Sequence, residues 1–166
     1  MFRKVEDFVT EWQQEADSTL KIFRALTDES LGQRVSPEGR SIGRLAWHLT
    51  QTLPEMLNRT GLEVTGPGEQ EPVPAAAAAI VAAYEASANA LREQIRSQWQ
   101  DDTLLESRDM YGEQWVNGVT LEILIRHQVH HRGQITVLMR QAGLKVPGIM
   151  GPAREEWAQW GMPAPE

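Results

Sequence analysis

The sequence predicts an all-α protein, a four-helix bundle with a short docked C-terminal segment. Three observations carry this. Apolar residues recur at steps of three and four along four long stretches. No stretch shows the strict alternation of a half-buried strand. Polar segments bearing glycine and proline punctuate the chain between those stretches. The 166 residues are read as one domain, 1–166, a length that buries a core without staples.

The elements follow in order. The first helix, from about Phe2 to Leu26, sets Val5, Phe8, Trp12, Ala16, Leu20 and Phe23 on one side. A polar stretch, TDESLGQRVSPEGRS, ends it. Ser41 is a good N-cap for the second helix, in which Ile42, Leu45, Leu49, Leu53 and Met56 share a face. Pro54 should kink or loosen that helix, since its ring removes a donor and crowds the preceding turn. Gly61 to Pro74 reads as a loop. The third helix runs from Pro74 to about Trp99, and its alanines, Ala75 to Ala79, are slim helix formers suited to close packing. Gln100 to Gly118, polar and aromatic, reads as a loop whose Trp115 covers a bundle end. The fourth helix spans about Val119 to Ala142 and is stopped by Gly143 and Pro147. The tail is expected to dock as a short turn, because Trp157 and Trp160 favour burial.

Composition removes several classes of function. Hydrophobic residues make up 41% and charged residues 23%, a globular balance. A formal charge of −7 opposes grip on a nucleic-acid backbone, and no basic stretch is interleaved with aromatics. The chain has no cysteine, which excludes a disulfide scaffold, a thiolate metal site and a cysteine nucleophile. No apolar run approaches the roughly 18 residues of a membrane span. The opening MFRKVEDFVTEW lacks an apolar signal core. A cytoplasmic protein without nucleic-acid or membrane partners is the expectation.

The chemistry concentrates in histidine. Of four histidines, three fall in RHQVHHRGQ, namely His127, His130 and His131, and the fourth is His48. Side chains at i and i+4 stand one helical turn apart on the same face, the bite one metal ion accepts. With His127 at zero and about 100° per residue, Leu138 lies near 20°, Leu124 near 60° and Ile135 near 80°. His131 falls at about 40°, inside that apolar stripe, and His130 at about −60°, outside it. Ile123, His130, Val137 and Leu144, at seven-residue steps, form a second stripe that reads as packing on a neighbouring helix or subunit. Spacing alone leaves open a metal pair and a buried hydrogen-bonded pair. His48 sits on the shoulder of its helix's apolar stripe, and Glu55 shares that shoulder. Glu55 is an outer-shell acceptor, a further ligand or, the preferred reading, a solvated carboxylate. Glu55, Tyr84, Tyr111 and Glu113 are candidate acids or bases among which spacing selects none. HExxH is absent, since Gln128 occupies its second position and cannot act as a base.

With His48 in IGRLAWHL, the motif HQVHHRGQ, the upstream GEQWVNG and TLEILIRH, and the downstream QAGLKVPGIMGPAREEW, the chain resembles the DinB/YfiT family of metal-binding four-helix proteins. The resemblance covers most of the sequence. It implies a divalent metal, nickel or zinc, held by His48, His127 and His131, with His130 and Arg132 not ligands. It further implies that Gly133 allows close helix approach, that Gln134 bonds within the core, and that the protein is a homodimer. Several members are transferases or isomerases that use low-molecular-weight thiols. The expected function is therefore a metal-dependent enzyme acting on a small molecule, a thiol-dependent transferase or a hydrolase. Any thiol must arrive with the substrate. The alternatives are a non-catalytic metal- or metabolite-binding protein and a metal-free structural dimer.

Overall fold

A computed structural model describes residues 1–165. Four helices, α1 (Val5–Phe23), α2 (Ile42–Asn58), α3 (Ala77–Gln98) and α4 (Asn117–Gln141), carry the architecture. α1 packs on α3 and α4, and α2 packs on the same two. The order around the bundle is thus α1, α3, α2, α4, which sets α1 diagonal to α2. The long connection 24–41 crosses between that diagonal pair. The core lies between all four, with Phe8, Trp12, Phe23, Leu49, Leu53, Ile80, Tyr84, Leu91, Leu121 and Leu124 buried. No helix among the described residues is long and apolar enough to cross a membrane.

Local chemistry explains most boundaries. Ser41 caps α2 as expected, its Oγ accepting from the Arg44 amide at 3.2 Å. Pro54 does not end α2, which continues to Asn58. Its ring is buried, and the loop after α2 lies against it: a Cβ added to Gly66 would come within 3.0 Å of the ring and 2.5 Å of Ser87 Oγ. Burial of Leu53, Met56 and Leu57 around the proline offsets the missing donor. α3 starts later than expected. Ala75 and Ala76 lie outside it, and of the alanine run only Ala77 is buried. The Ala77 amide donates to Asp28 Oδ1 at 2.7 Å, so a carboxylate from the α1–α2 connection satisfies one of the four free donors at this helix start. At the far end of α4, Gly143 takes φ 75°, the left-handed conformation in which glycine commonly stops a helix.

Two expectations are corrected. The segment 100–118 is not a plain loop. Ser107–Met110 (β1) and Glu113–Val116 (β2) pair antiparallel, Met110 opposite Glu113 and Ser107 opposite Val116. Tyr111 and Gly112 turn the hairpin at φ 62° and 87°, both left-handed, as the tightest two-residue hairpin requires. Asp109 Oδ1 braces it by accepting from the Gly112 amide at 3.2 Å. In the tail, Arg154–Trp160 form a short 3-10 turn, held by Glu156 accepting from the amides of Gly148 and Ala153. Trp157 is half-buried, whereas Trp160 stays 62% exposed. The turn is anchored through the carboxylate, so Trp160 is not needed as a hydrophobic anchor.

A buried ion pair fixes α4 against α1. Arg132 is 4% exposed. Its Nη2 meets Glu15 Oε2 at 2.5 Å, and its Nη1 donates to Glu15 O at 3.1 Å and Thr19 Oγ1 at 3.3 Å.

Candidate metal centre

His48 projects from α2, and His127 and His131 from α4, across the interface those two helices share. The three rings lie with centroids 4.5 to 4.9 Å apart. One nitrogen from each falls within 4.8 Å of the other two. The structure thus brings together the three histidines singled out from sequence, including His48, which periodicity placed only on a shoulder. His130 is exposed and outside the group.

The donor geometry fits a common ion. His48 Nε2 lies 3.1 Å from His127 Nε2. Imidazole–zinc bonds are about 2.0–2.1 Å, and two of them at 90–110° put their nitrogens about 2.8–3.4 Å apart. Two facing imidazole nitrogens are stable only with a proton or a cation between their lone pairs. His131 Nδ1 meets Gln134 Oε1 at 2.7 Å. An amide oxygen only accepts, so the proton sits on Nδ1 and the Nε2 lone pair is free for a metal. His127 Nδ1 is buried without a partner among the described residues, so its ring is oriented by packing and by the approach of its Nε2 to His48.

Electrostatics keep the donors ready. Burial pushes His48 and His127 down to about 4, and the neighbouring imidazoles and the Arg40 guanidinium push the same way. Burial also lowers His131, partly offset by its bond to Gln134. The His48 and His127 rings are therefore neutral well below pH 6.5, and the His131 ring is biased the same way, towards the form a metal requires. Proton competition for the metal accordingly moves below the pH near 6.5 expected of free imidazole. In metal-free protein, unfolded chains bind more protons than folded ones between about pH 6.5 and 4, so stability should fall as pH drops through that window. Thermal melts of chelator-treated protein between pH 7.5 and 4.5 should show this slope, flattened in the double variant His48→Ala/His127→Ala. An equal slope in both proteins would show that the imidazoles are not held neutral.

The residues around the triad shape a cavity of about 580 Å³ lined by Arg44, His48, Glu55, Tyr111, Trp115 and His127, among others. Glu55 is not the solvated carboxylate preferred from sequence. Its side chain is only 13% exposed, with Arg59 Nε 2.7 Å from one oxygen and the Tyr111 hydroxyl donating to the other at 2.7 Å. The Arg59 guanidinium also lies over the Tyr111 ring at 4.6 Å, a favourable cation–π placement. The hairpin turn thus delivers Tyr111 to the cavity wall. Burial and the bond to Glu55 hold the Tyr111 phenol above its ordinary pKa. Gln51 supports the rim, donating to the carbonyls of Gly68, Glu69 and Glu71 and accepting from Arg44.

The other candidates fall elsewhere. Tyr84 is fully buried and donates to Gln128 Oε1 at 2.9 Å. Glu113 is exposed and accepts from Trp115 Nε1. Gln134 is exposed and bridges His131 to His130 rather than bonding in the core. Gly133 is exposed with no atom near its would-be Cβ, so it does not mediate close helix approach.

Comparison with known proteins bears on the family and the fold. The model of the DinB family matches residues 1–162. The chain is 46% identical over 166 residues to the uncharacterized protein YrdA of Bacillus subtilis (strain 168), covering 100% of this chain and 99% of that one. It is similar to the crystal structure of a DinB-like protein from Bacillus cereus ATCC 10987, with a TM-score of 0.87 and 43% identity over 90% of this chain and 99% of the other. The crystal structure of YjoA, a DinB-like protein from Bacillus subtilis, shares the fold at a TM-score of 0.68 and 16% identity, over 86% and 97% of the two chains.

Proposed function

The chain belongs to the DinB family, and on that premise we propose that His48, His127 and His131 hold one divalent ion, nickel or zinc, beside which a small molecule undergoes transfer or hydrolysis. The observation that carries this reading is the convergence of three imidazole nitrogens within 4.8 Å of one another. An ion held by three neutral imidazoles keeps open positions and supplies Lewis acidity when bound.

The chain's own residues divide the remaining work. Arg44 places a cation on the cavity wall and attracts an anionic part of the substrate. Glu55, fixed by Arg59 and Tyr111, accepts a proton at a carboxylate oxygen within the cavity. Tyr111 keeps its proton and donates a hydrogen bond. The hairpin, through Tyr111 and Trp115, and the loop pinned by Gln51, through Glu69 and Gln70, form walls of the cavity. With no cysteine in the chain, a thiol enters only as cosubstrate.

Protein soaked in nickel or zinc and desalted should retain about one ion per chain by elemental analysis. Adding a small thiol to the nickel form should then produce thiolate-to-nickel charge-transfer absorption. Retention near zero overturns the metal reading, and an unchanged spectrum on a fully loaded protein removes the thiol from it.

A further inference from the structure

A second cavity, of about 420 Å³, opens on the other side of the histidine triad. Val35, Arg40, Leu45, His131, Val137 and Leu138 line it, and it shares no lining residue with the cavity beside Glu55. His131 forms part of its wall, whereas His48 and His127 line the first cavity. The triad therefore lies between a chamber that carries several charged side chains and a predominantly aliphatic one.

Two features of the aliphatic chamber are unexplained by folding. Val35 and Val137, on its rim, are 70% and 56% exposed, although both are large apolar side chains. Arg40, between the α1–α2 connection and the start of α2, has neither a carboxylate partner nor a side-chain hydrogen bond among the described residues, in a chain of net charge −7. It lines this cavity together with His131.

We propose that this cavity binds a short aliphatic carboxylate, with the Arg40 guanidinium on the carboxylate and the hydrocarbon chain between Val35, Leu45, Val137 and Leu138. A planar guanidinium offers two parallel donors that match a carboxylate's two oxygens. The aliphatic walls take the hydrocarbon and cover the exposed valines. Arg40 is the one cation among the lining residues, with only the neutral Gln134 amide and His131 as polar side chains beside it, which suits a monoanion better than a phosphate dianion. The volume falls within the range of small-ligand pockets. The site uses no metal, so it stands or falls separately from the three-histidine reading.

Isothermal titration of chelator-treated protein with hexanoate tests this, with the isosteric neutral hexanamide as control. Hexanoate should bind saturably, hexanamide about tenfold or more weakly, and Arg40→Gln should lose about the same factor for hexanoate. Val137→Asp should weaken hexanoate too. Equal binding of the two ligands, an unaffected Arg40→Gln variant, or no saturable binding of hexanoate each overturns the assignment. Val137 also belongs to the stripe Ile123, His130, Val137 and Leu144 expected to meet another subunit. If sedimentation shows a dimer that Val137→Asp dissociates and that excludes hexanoate, a second copy covers this face and the carboxylate site is overturned. Because the measurements use metal-free protein, their failure leaves metal retention by the triad untouched.

Discussion

His131→Ala is expected to abolish stoichiometric nickel or zinc binding, whereas His130→Ala leaves it within about twofold of the wild type. The two residues are neighbours in sequence, and only the helix separates them, by about 100° of rotation. His131 points into the interface with α2, within 4.8 Å of His48 and His127. His130 points to solvent, where its Nε2 accepts from the Gln134 amide at 3.2 Å. Removing His131 takes away a ligand, so affinity should fall by more than the roughly 10–100-fold typical of losing an outer-shell partner. Gln134→Ala supplies that intermediate case. It frees His131 Nδ1 from its acceptor and should cost about 10–100-fold without loss of stoichiometry. Competition against a chromophoric chelator gives all three affinities. Equal losses from His131→Ala and His130→Ala would place the metal off this helix face and dismantle the proposed centre.

Much of this was legible from periodicity. The repeat of 3.6 residues located four helices, and the same count put His127 and His131 on the buried side of α4. That inference needs only local geometry. His48 is different: its approach to His127 depends on how α2 packs against α4, and no count along one helix contains that. The hairpin was invisible for another reason. Its strands have four residues each, half of them exposed and only Met110 buried, without apolar alternation, and the left-handed turn position holds Tyr111 rather than the asparagine or glycine that usually marks it. The spacing of Asp109 and Gly112 was the available signal. Glu55 was misjudged because a carboxylate without a local partner reads as solvated. One of its two partners, Arg59, lies one turn on and could have been seen, but Tyr111 arrives through the hairpin. The family resemblance implies close helix approach at Gly133 and a core bond for Gln134, whereas the solvent-exposed face of both follows from the same rotation that turns His130 outward.

Arg132→Met is expected to destabilise the fold by about 3–5 kcal/mol, the usual loss when one partner of a buried ion pair is removed. Arg132 is adjacent to His131 and turned about 100° away from it, so the histidine faces α2 while the arginine faces α1. There its guanidinium satisfies a carboxylate, a carbonyl and a hydroxyl, all from Glu15 and Thr19. Methionine fills much of the volume but leaves the Glu15 carboxylate buried without its cation. The penalty comes from that stranded group rather than from the lost bonds alone, so the double variant Glu15→Met/Arg132→Met should recover most of the stability. Urea unfolding of the wild type, the single variant and the double variant separates these terms. A single-variant loss below about 1 kcal/mol, the scale of an exposed pair, would mean that water reaches this interface and that the pair does not set the rotation of α4. A double variant no more stable than the single one would assign the effect to packing. If the pair does set that rotation, the single variant should also hold metal more weakly than the wild type while still folded, because His127 and His131 ride on the same helix.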